Sequence, residues 1–296
     1  MYDDLFLFIK VAQFGSFTKA AKELGIYQST ISRRILSLEE SLGSKLIIRT
    51  ANHFELSKQG QQLYQNLMGQ ESLIQSKIFS ALKNEDLIFG EIRVMLPHAL
   101  PLHIITPKIP EFLAKHPHLK ARIYYQNHEI NLQKDYIDLA VVYGLPEQQA
   151  QRVKLIHRAE LVAVCTPEYI EQYGYLTNPE DIDQHQIIVV LRDHGEIISR
   201  ANVINNKTQQ ITTINVNYTL ATNNFVHNLE LVDTGKFIAV FYASTVSSAL
   251  KSGKYVRVLP DYSFGKLDFY MLKRVPDDPK INAFANFIEE CLATPS

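Results

Sequence analysis

Residues able to read a surface crowd into "GIYQSTISRR", residues 25–34. Tyr27, Gln28, Ser29, Thr30, Ser32, Arg33 and Arg34 bring a ring, an amide, hydroxyls and two guanidinium groups together. An arginine pairs bidentately with guanine and a glutamine with adenine, so the chemistry on offer is recognition of DNA. Arg33 suits a base or phosphate contact, whereas Arg34 and Ser32 suit phosphates. The same residues on an isolated helix would only form a solvated face, so the neighbouring elements must decide between the two readings.

A second set suits a small ligand. His98, Ala99 and Leu100 lie in "LPHALP", Asn127 and His128 follow a strand, Arg192 and His194 lie in "LRDHG", and Thr222 with Asn223 precede a helix. Backbone N–H groups at helix starts attract anions, and histidines would make binding depend on pH near 6.5. "LPHALP" is more apolar than a carboxylate-binding loop, which makes an aromatic or otherwise largely apolar effector a second option beside an anion. Neither GxSxG, a P-loop nor a zinc-ligand cluster is present, and no nucleophile–base pairing points to an enzyme. "HPH" at residues 116–118 reads as a turn, and Cys165 and Cys291 sit in apolar segments as core residues. No cofactor or metal is expected.

The elements that must position these residues follow from periodicity. Leu5 to Phe14 is too densely apolar for a strand and ends at Gly15, giving a first helix. Ser16 and Thr18 are candidate caps for a second, "TKAAKEL", which Gly25 ends. In the third, opening at Gln28, Ile31, Ile35, Leu38 and Leu42 fall on one face within about 60°. Ser29, Arg33 and Ser37 point the other way, with Thr30, Ser32 and Arg34 on the flanks; Leu36 among them has no explanation. "KLIIRT" and "FELS" form a hairpin with its tip at Asn52 and His53, a wing placing Arg49 and Asn52 against a backbone.

From Ser57 to about Leu87 there is no proline, and Leu63, Leu67, Ile74 and Ile78 keep a four-and-three spacing. A helix of roughly 30 residues, about 45 Å, is predicted, with its stripe packed on another chain or, alternatively, on its own wing domain. Gly60 and Gly69 weaken it by about 1 kcal/mol each relative to alanine. Beyond Gly90 strands and helices alternate, from "EIRVML" to "INAFANFIEECL", as two α/β lobes of similar size with a ligand cleft between them.

Composition agrees. The 296 residues exceed one ordinary core, 46% are hydrophobic and 21% charged, and the net charge of -1 leaves any basic site local. Two distant cysteines exclude a disulfide framework. "MYDDLFLFIK" is acidic before its apolar run, the reverse of a signal peptide, and no run reaches membrane-span length. A cytoplasmic protein without a membrane partner is expected.

"GSFTKAAKELGIYQSTISRRILSLEESLGSKLIIRT" resembles, almost end to end, the winged helix-turn-helix signature of the LysR-type transcriptional regulators. "GEIRVMLP", "LVAVCTPEYIEQYG", "NPEDIDQHQIIV" and "SGKYVRVLPDY" are similar to later landmarks of that family. The resemblance implies three parts: a winged helix-turn-helix over 1–57, a linker dimerisation helix over 58–88, and an effector-binding domain over 89–296 like the periplasmic binding proteins. Lobe I would span 89–160 and 266–296, and lobe II 161–265. It implies a homodimer, or a homotetramer built from dimers, on double-stranded promoter DNA, with a small-molecule effector between the lobes and contact with RNA polymerase. The chain departs from the family at Tyr27, where serine is usual, at Ser29, at the wing tip "ANH", at Phe237 in "GKFIAV", and in "LPHALP". The competing reading is a periplasmic-type ligand-binding or metabolic protein whose N-terminal helices only mediate assembly.

Overall fold

Asp3 and Asp4 in the first turn of α1 (Tyr2–Phe14) complement the positive end of that helix, whose Leu7, Phe8, Ile9, Val11 and Ala12 are buried. Ser16 caps α2 (Phe17–Leu24) by accepting from the Lys19 N–H, and Gly25, at φ 66, closes it with an N–H to the Ala21 carbonyl. That left-handed turn leaves two residues before α3 (Gln28–Leu42). The three helices pack on one another, with Ile31, Ile35 and Leu38 fully or almost fully buried. The fourth member of the expected stripe, Leu42, is instead 41% exposed, because α3 has by then run past α1 and α2 into its Gly43 cap.

The computed structural model describes residues 2–50, 53–67, 70, 74, 78, 88–127, 130–132, 135–144, 153–191, 195–197 and 200–293. Two units emerge. One comprises Met1–Gly90 with Asp277–Lys280, the other Glu91–Pro276 with Ile281–Ser296.

In the first unit the wing is the antiparallel pair β1 (Ile47–Thr50) and β2 (His53–Leu56), in the register Ile47↔Leu56 to Thr50↔His53. Phe17 of α2 meets Phe54 of β2 edge to face at 5.9 Å. Glu39 is 5% exposed, and its Oε1 accepts the backbone N–H groups of Leu46 at 2.8 Å and Ile47 at 3.0 Å. α4 (Lys58–Leu67) follows, burying Gly60 and Tyr64 rather than Leu63 and Leu67. Gly60 is there for space: a Cβ on it would stand 2.0 Å from the Leu46 carbonyl oxygen. The four-and-three reading beyond Leu67 falls mostly outside the described residues, where Gln70, Ile74 and Ile78 are helical and exposed.

The second unit is built on one nine-stranded sheet. Its first lobe holds β3 (Gly90–Leu96), α5 (Pro101–Ile104), a 3-10 turn (Thr106–Lys108), α6 (Ile109–Lys115), β4 (Leu119–Tyr125) and β5 (Leu139–Tyr143). β6 (Val153–Cys165) is long enough to run through both lobes. The second lobe adds α7 (Pro167–Tyr173), a 3-10 turn (Pro179–Gln184), β7 (Ile187–Val190), β8 (Arg200–Asn205) and β9 (Ile211–Asn215). β10 (Leu220–Thr222), α8 (Phe225–Asp233), β11 (Ile238–Tyr242), α9 (Ala243–Lys251), β12 (Val256–Val258) and β13 (Tyr262–Ser263) complete it. β14 (Lys266–Lys273) returns beside β6, and α10 (Pro279–Ala293) ends the chain.

The strand order is β10-β7-β11-β6-β14-β5-β3-β4, with β12 on β6. Neighbours β3 and β5 are parallel, as are β7, β10 and β11, whereas β6 and β14 run antiparallel to each other and to the parallel sets they flank. Alternate residues of β6 serve opposite cores. Ala163 and Cys165 join Tyr169, Ile187 and Val203 on one face, while Val162 and Val164 join Val232, Phe241 and Val246 on the other. A separate small sheet, β13-β8-β9, covers the first of these cores. Cys165 and Cys291 are both free and buried, and burial pushes the Cys165 thiol up to about 12.

Candidate nucleic-acid interface and ligand cleft

Burial of one face of α3 fixes what the other presents. Gln28, Ser29, Arg33, Leu36 and Ser37 are exposed, with Thr30, Ser32 and Arg34 half-buried beside them. Tyr27 stands at the head of this row, 84% exposed. It is the N-cap of α3, in extended conformation at φ -68 and ψ 139, and makes no side-chain capping bond. Its carbonyl accepts the N–H groups of Thr30 and Ile31. α3 therefore starts at Gln28, as its sequence predicts, without a side-chain cap.

The two arginines differ. Arg34 donates through Nε to Asp4 at 2.7 Å, tying α3 to α1, and this bond holds the Asp4 carboxyl below the usual carboxylate range. Arg33 projects outward. Arg49 stands opposite Phe54 in the wing, and Asn52 lies outside the described residues.

The ligand candidates gather at strand ends. His98 follows the carboxyl end of β3, and its N–H donates to Asn127 Oδ1 at 3.1 Å, so these two expected residues are brought together. Burial holds the His98 imidazole below its ordinary 6.5, leaving it neutral at pH 7. Ala99 and Leu100 are 4% and 1% exposed and belong to the packing beneath the loop. In the second lobe the Thr222 hydroxyl donates to Asn228 Oδ1, and Asn223 is exposed. The cap of α8 is neither of these but Asn224, which accepts from Val226 and His227. His128, Arg192 and His194 lie outside the described residues.

Three residues were not anticipated. Tyr143 ends β5, Tyr242 ends β11, and His157 sits midway along β6. In open α/β sheets ligands bind outside the carboxyl ends of strands, so Tyr143 and Tyr242 occupy ligand positions in the two lobes. The sequence signal was the tyrosine closing each apolar run, in "LAVVYG" and "IAVFYA". His157 escaped because the run "VKLIHRA" alternates too weakly to extend the strand back from Glu160. Among the described residues no group of three or more histidines, cysteines or carboxylates could hold a metal.

A helix-turn-helix with an exposed polar reading face and a wing, followed by a two-lobed ligand-binding fold, defines the class of ligand-responsive DNA-binding regulators. Residues 2–61 match the pattern of the "Bacterial regulatory helix-turn-helix protein, lysR family", and residues 86–293 that of the "LysR substrate binding domain". The chain belongs to the LysR family of transcriptional regulators. It is 30% identical over 296 residues to the probable HTH-type transcriptional regulator SinR of Salmonella typhimurium, covering 97% of this chain and 92% of that one. The full-length virulence activator AphB of Vibrio cholerae shares the fold with a TM-score of 0.60 at 23% identity, over 97% and 98% of the two chains. Full-length LysG of Corynebacterium glutamicum, solved with its effector Arg bound, shares it with a TM-score of 0.66 at 15% identity, over 98% and 96%.

Proposed function

We propose that this regulator binds a partly symmetric promoter site on double-stranded DNA as a cytoplasmic homodimer, with two dimers joining as a homotetramer. α3 enters the major groove with Tyr27, Gln28, Ser29, Thr30 and Arg33 toward base edges and phosphates. Ser32 and the free end of Arg34 meet phosphates, and Arg49 with Asn52 reaches the backbone from the wing. The observation that carries this reading is the division of α3 into a face buried through Ile31, Ile35 and Leu38 and an opposite row of exposed polar residues. Dimerisation through the linker helix is supported by Ile74 and Ile78, which are one helical turn apart and 44% and 50% exposed in the single chain.

A small-molecule effector binds between the lobes, at His98, Asn127, His128, Arg192, His194, Thr222 and Asn223 over the buried Ala99 and Leu100. Its binding changes the angle between dimers, and with it DNA bending and contact with RNA polymerase. Among the described residues no helix is long and apolar enough to cross a membrane, which accords with action on DNA in the cytoplasm. Genome-wide mapping of bound DNA tests the reading. A discrete set of promoters sharing a dyad motif is expected, and enrichment indistinguishable from background would overturn it.

A further inference from the structure

The strand register gathers rings at one place. Phe269 on β14 is opposite Tyr143 on one side and His157 on the other. Directly opposed residues share a face of a sheet, so all three side chains project together. On the next strand Tyr242 is opposite Leu161, which is four residues from His157 and on the same face. The Tyr242 ring meets Phe269 edge to face at 5.4 Å, and His157 lies 6.3 Å from Phe269. Phe225 stacks on Tyr242 at 5.2 Å with an interplanar angle of 16°. Phe269 itself is fully buried between partly exposed Tyr143, His157 and Tyr242, and Phe225, also partly exposed, reaches the group through Tyr242.

Two polar groups of this wall, on Tyr242 and His157, bear on what it can bind. Among the described residues neither the Tyr242 hydroxyl nor the His157 ring makes a hydrogen bond. Burial pushes the Tyr242 phenol far above the ordinary tyrosine range and the His157 imidazole below 6.5, so both are neutral near pH 7. Both residues keep partial exposure and neither is among the fully buried unpaired polar atoms, so the two groups stand open to a ligand's hydrogen bond. Nor do the adjoining hinge charges serve this face. Arg158 and Asp268, one residue further along each strand, point to the other face and pair with each other.

We propose that the effector is an uncharged planar aromatic molecule carrying a hydrogen-bonding substituent, held where the two lobes meet. Its ring lies against Tyr242 and Phe225, and its substituent bonds the Tyr242 hydroxyl and the His157 imidazole. This rests on the reading that the inter-lobe cleft binds a small molecule. It commits the site to rings and neutral donors rather than to the anion-binding helix starts.

Calorimetric titration of the full chain with phenol, benzamide, benzoate and succinate tests the inference. Phenol or benzamide is expected to bind, and Tyr242→Phe and His157→Phe each to weaken that binding about tenfold, as the loss of one sheltered hydrogen bond does. Because the Tyr242 hydroxyl has no partner in the described protein, Tyr242→Phe is expected to leave the ligand-free melting temperature unchanged or raised. A merely structural hydroxyl would lower it. Binding of succinate or benzoate alone would overturn the aromatic, uncharged class while leaving the cleft reading intact. Binding of phenol unaltered by Tyr242→Phe and His157→Phe would overturn the residue assignment. If none of the four binds, the inference fails. Failure of the cleft reading itself would show separately, if spin labels on the two lobes keep one fixed separation when the protein is given a metabolite extract of its own cells.

Discussion

Tyr27 places a large exposed side chain where a helix gains most from a short oxygen. Its backbone already has the extended conformation of an N-cap, so a serine there would accept from the N–H of Ser29 or Thr30 without rearrangement. The ring is 84% exposed, so removing it uncovers little apolar area, on the order of 30 Å² or about 0.7 kcal/mol. Comparing Tyr27→Ser with Tyr27→Ala cancels that loss and isolates the cap. Serine is expected to exceed alanine by about 1 kcal/mol, or roughly 4–8 °C in the melting of a domain this small. Calorimetric melting of the full-length variants, read at the transition of the N-terminal unit, measures it. If Tyr27 touches DNA, both variants lose operator affinity to a similar degree, because both lose the ring. Equal stability of the serine and alanine variants would refute the capping argument. Unchanged operator affinity in both would remove Tyr27 from the interface.

Two further substitutions probe the frame that presents α3. Gly60→Ala is expected to destabilise the N-terminal unit by about 2 kcal/mol, since overpacking against the Leu46 carbonyl, about 3 kcal/mol, outweighs a helix-propensity gain of about 1 kcal/mol. A higher urea midpoint for the alanine variant would contradict this. At Glu39 burial acts to raise the carboxyl, but the N–H groups of Ile47 and Leu46 and the Lys45 ammonium together outweigh it and hold it below its ordinary 4.5. The folded value being depressed, the stabilisation is complete above about pH 4.5 and is lost as pH falls through the folded value. Glu39→Gln is therefore expected to flatten the acid limb of the pH–stability curve of the N-terminal unit, and an unaltered limb would show that Glu39 does not anchor the wing.

Much of this was legible because the N-terminal elements are local. Gly25, Gly43 and the Ile31-Ile35-Leu38 stripe mark α3 without any partner element in view. Leu42 reversed its expectation because it lies past the end of the packing, and the buried Glu39 carboxylate was not anticipated because the wing supplies two N–H donors that no helical pattern reveals. Gly60 reads as a weak point in a helix until the Leu46 carbonyl is seen against it. In the ligand-binding part, apolar runs located the central strands, but β8, β10, β12 and β13 are short or polar and carry little periodicity. The hinge wall depends on register between strands distant in sequence, so Tyr143, His157 and Tyr242 look like separate residues until β5, β14, β6 and β11 are laid side by side.

The most direct test of the account is the salt dependence of operator binding by the full chain and its Arg33→Ala variant, measured by fluorescence anisotropy on a mapped promoter fragment and on a scrambled one. The wild type is expected to prefer the promoter, with affinity falling steeply as salt rises and phosphate contacts are displaced. Arg33→Ala is expected to lose that preference without a change in melting temperature. Binding that is equal on both fragments, indifferent to salt and unaffected by Arg33→Ala would contradict the assignment of α3 as the reading helix.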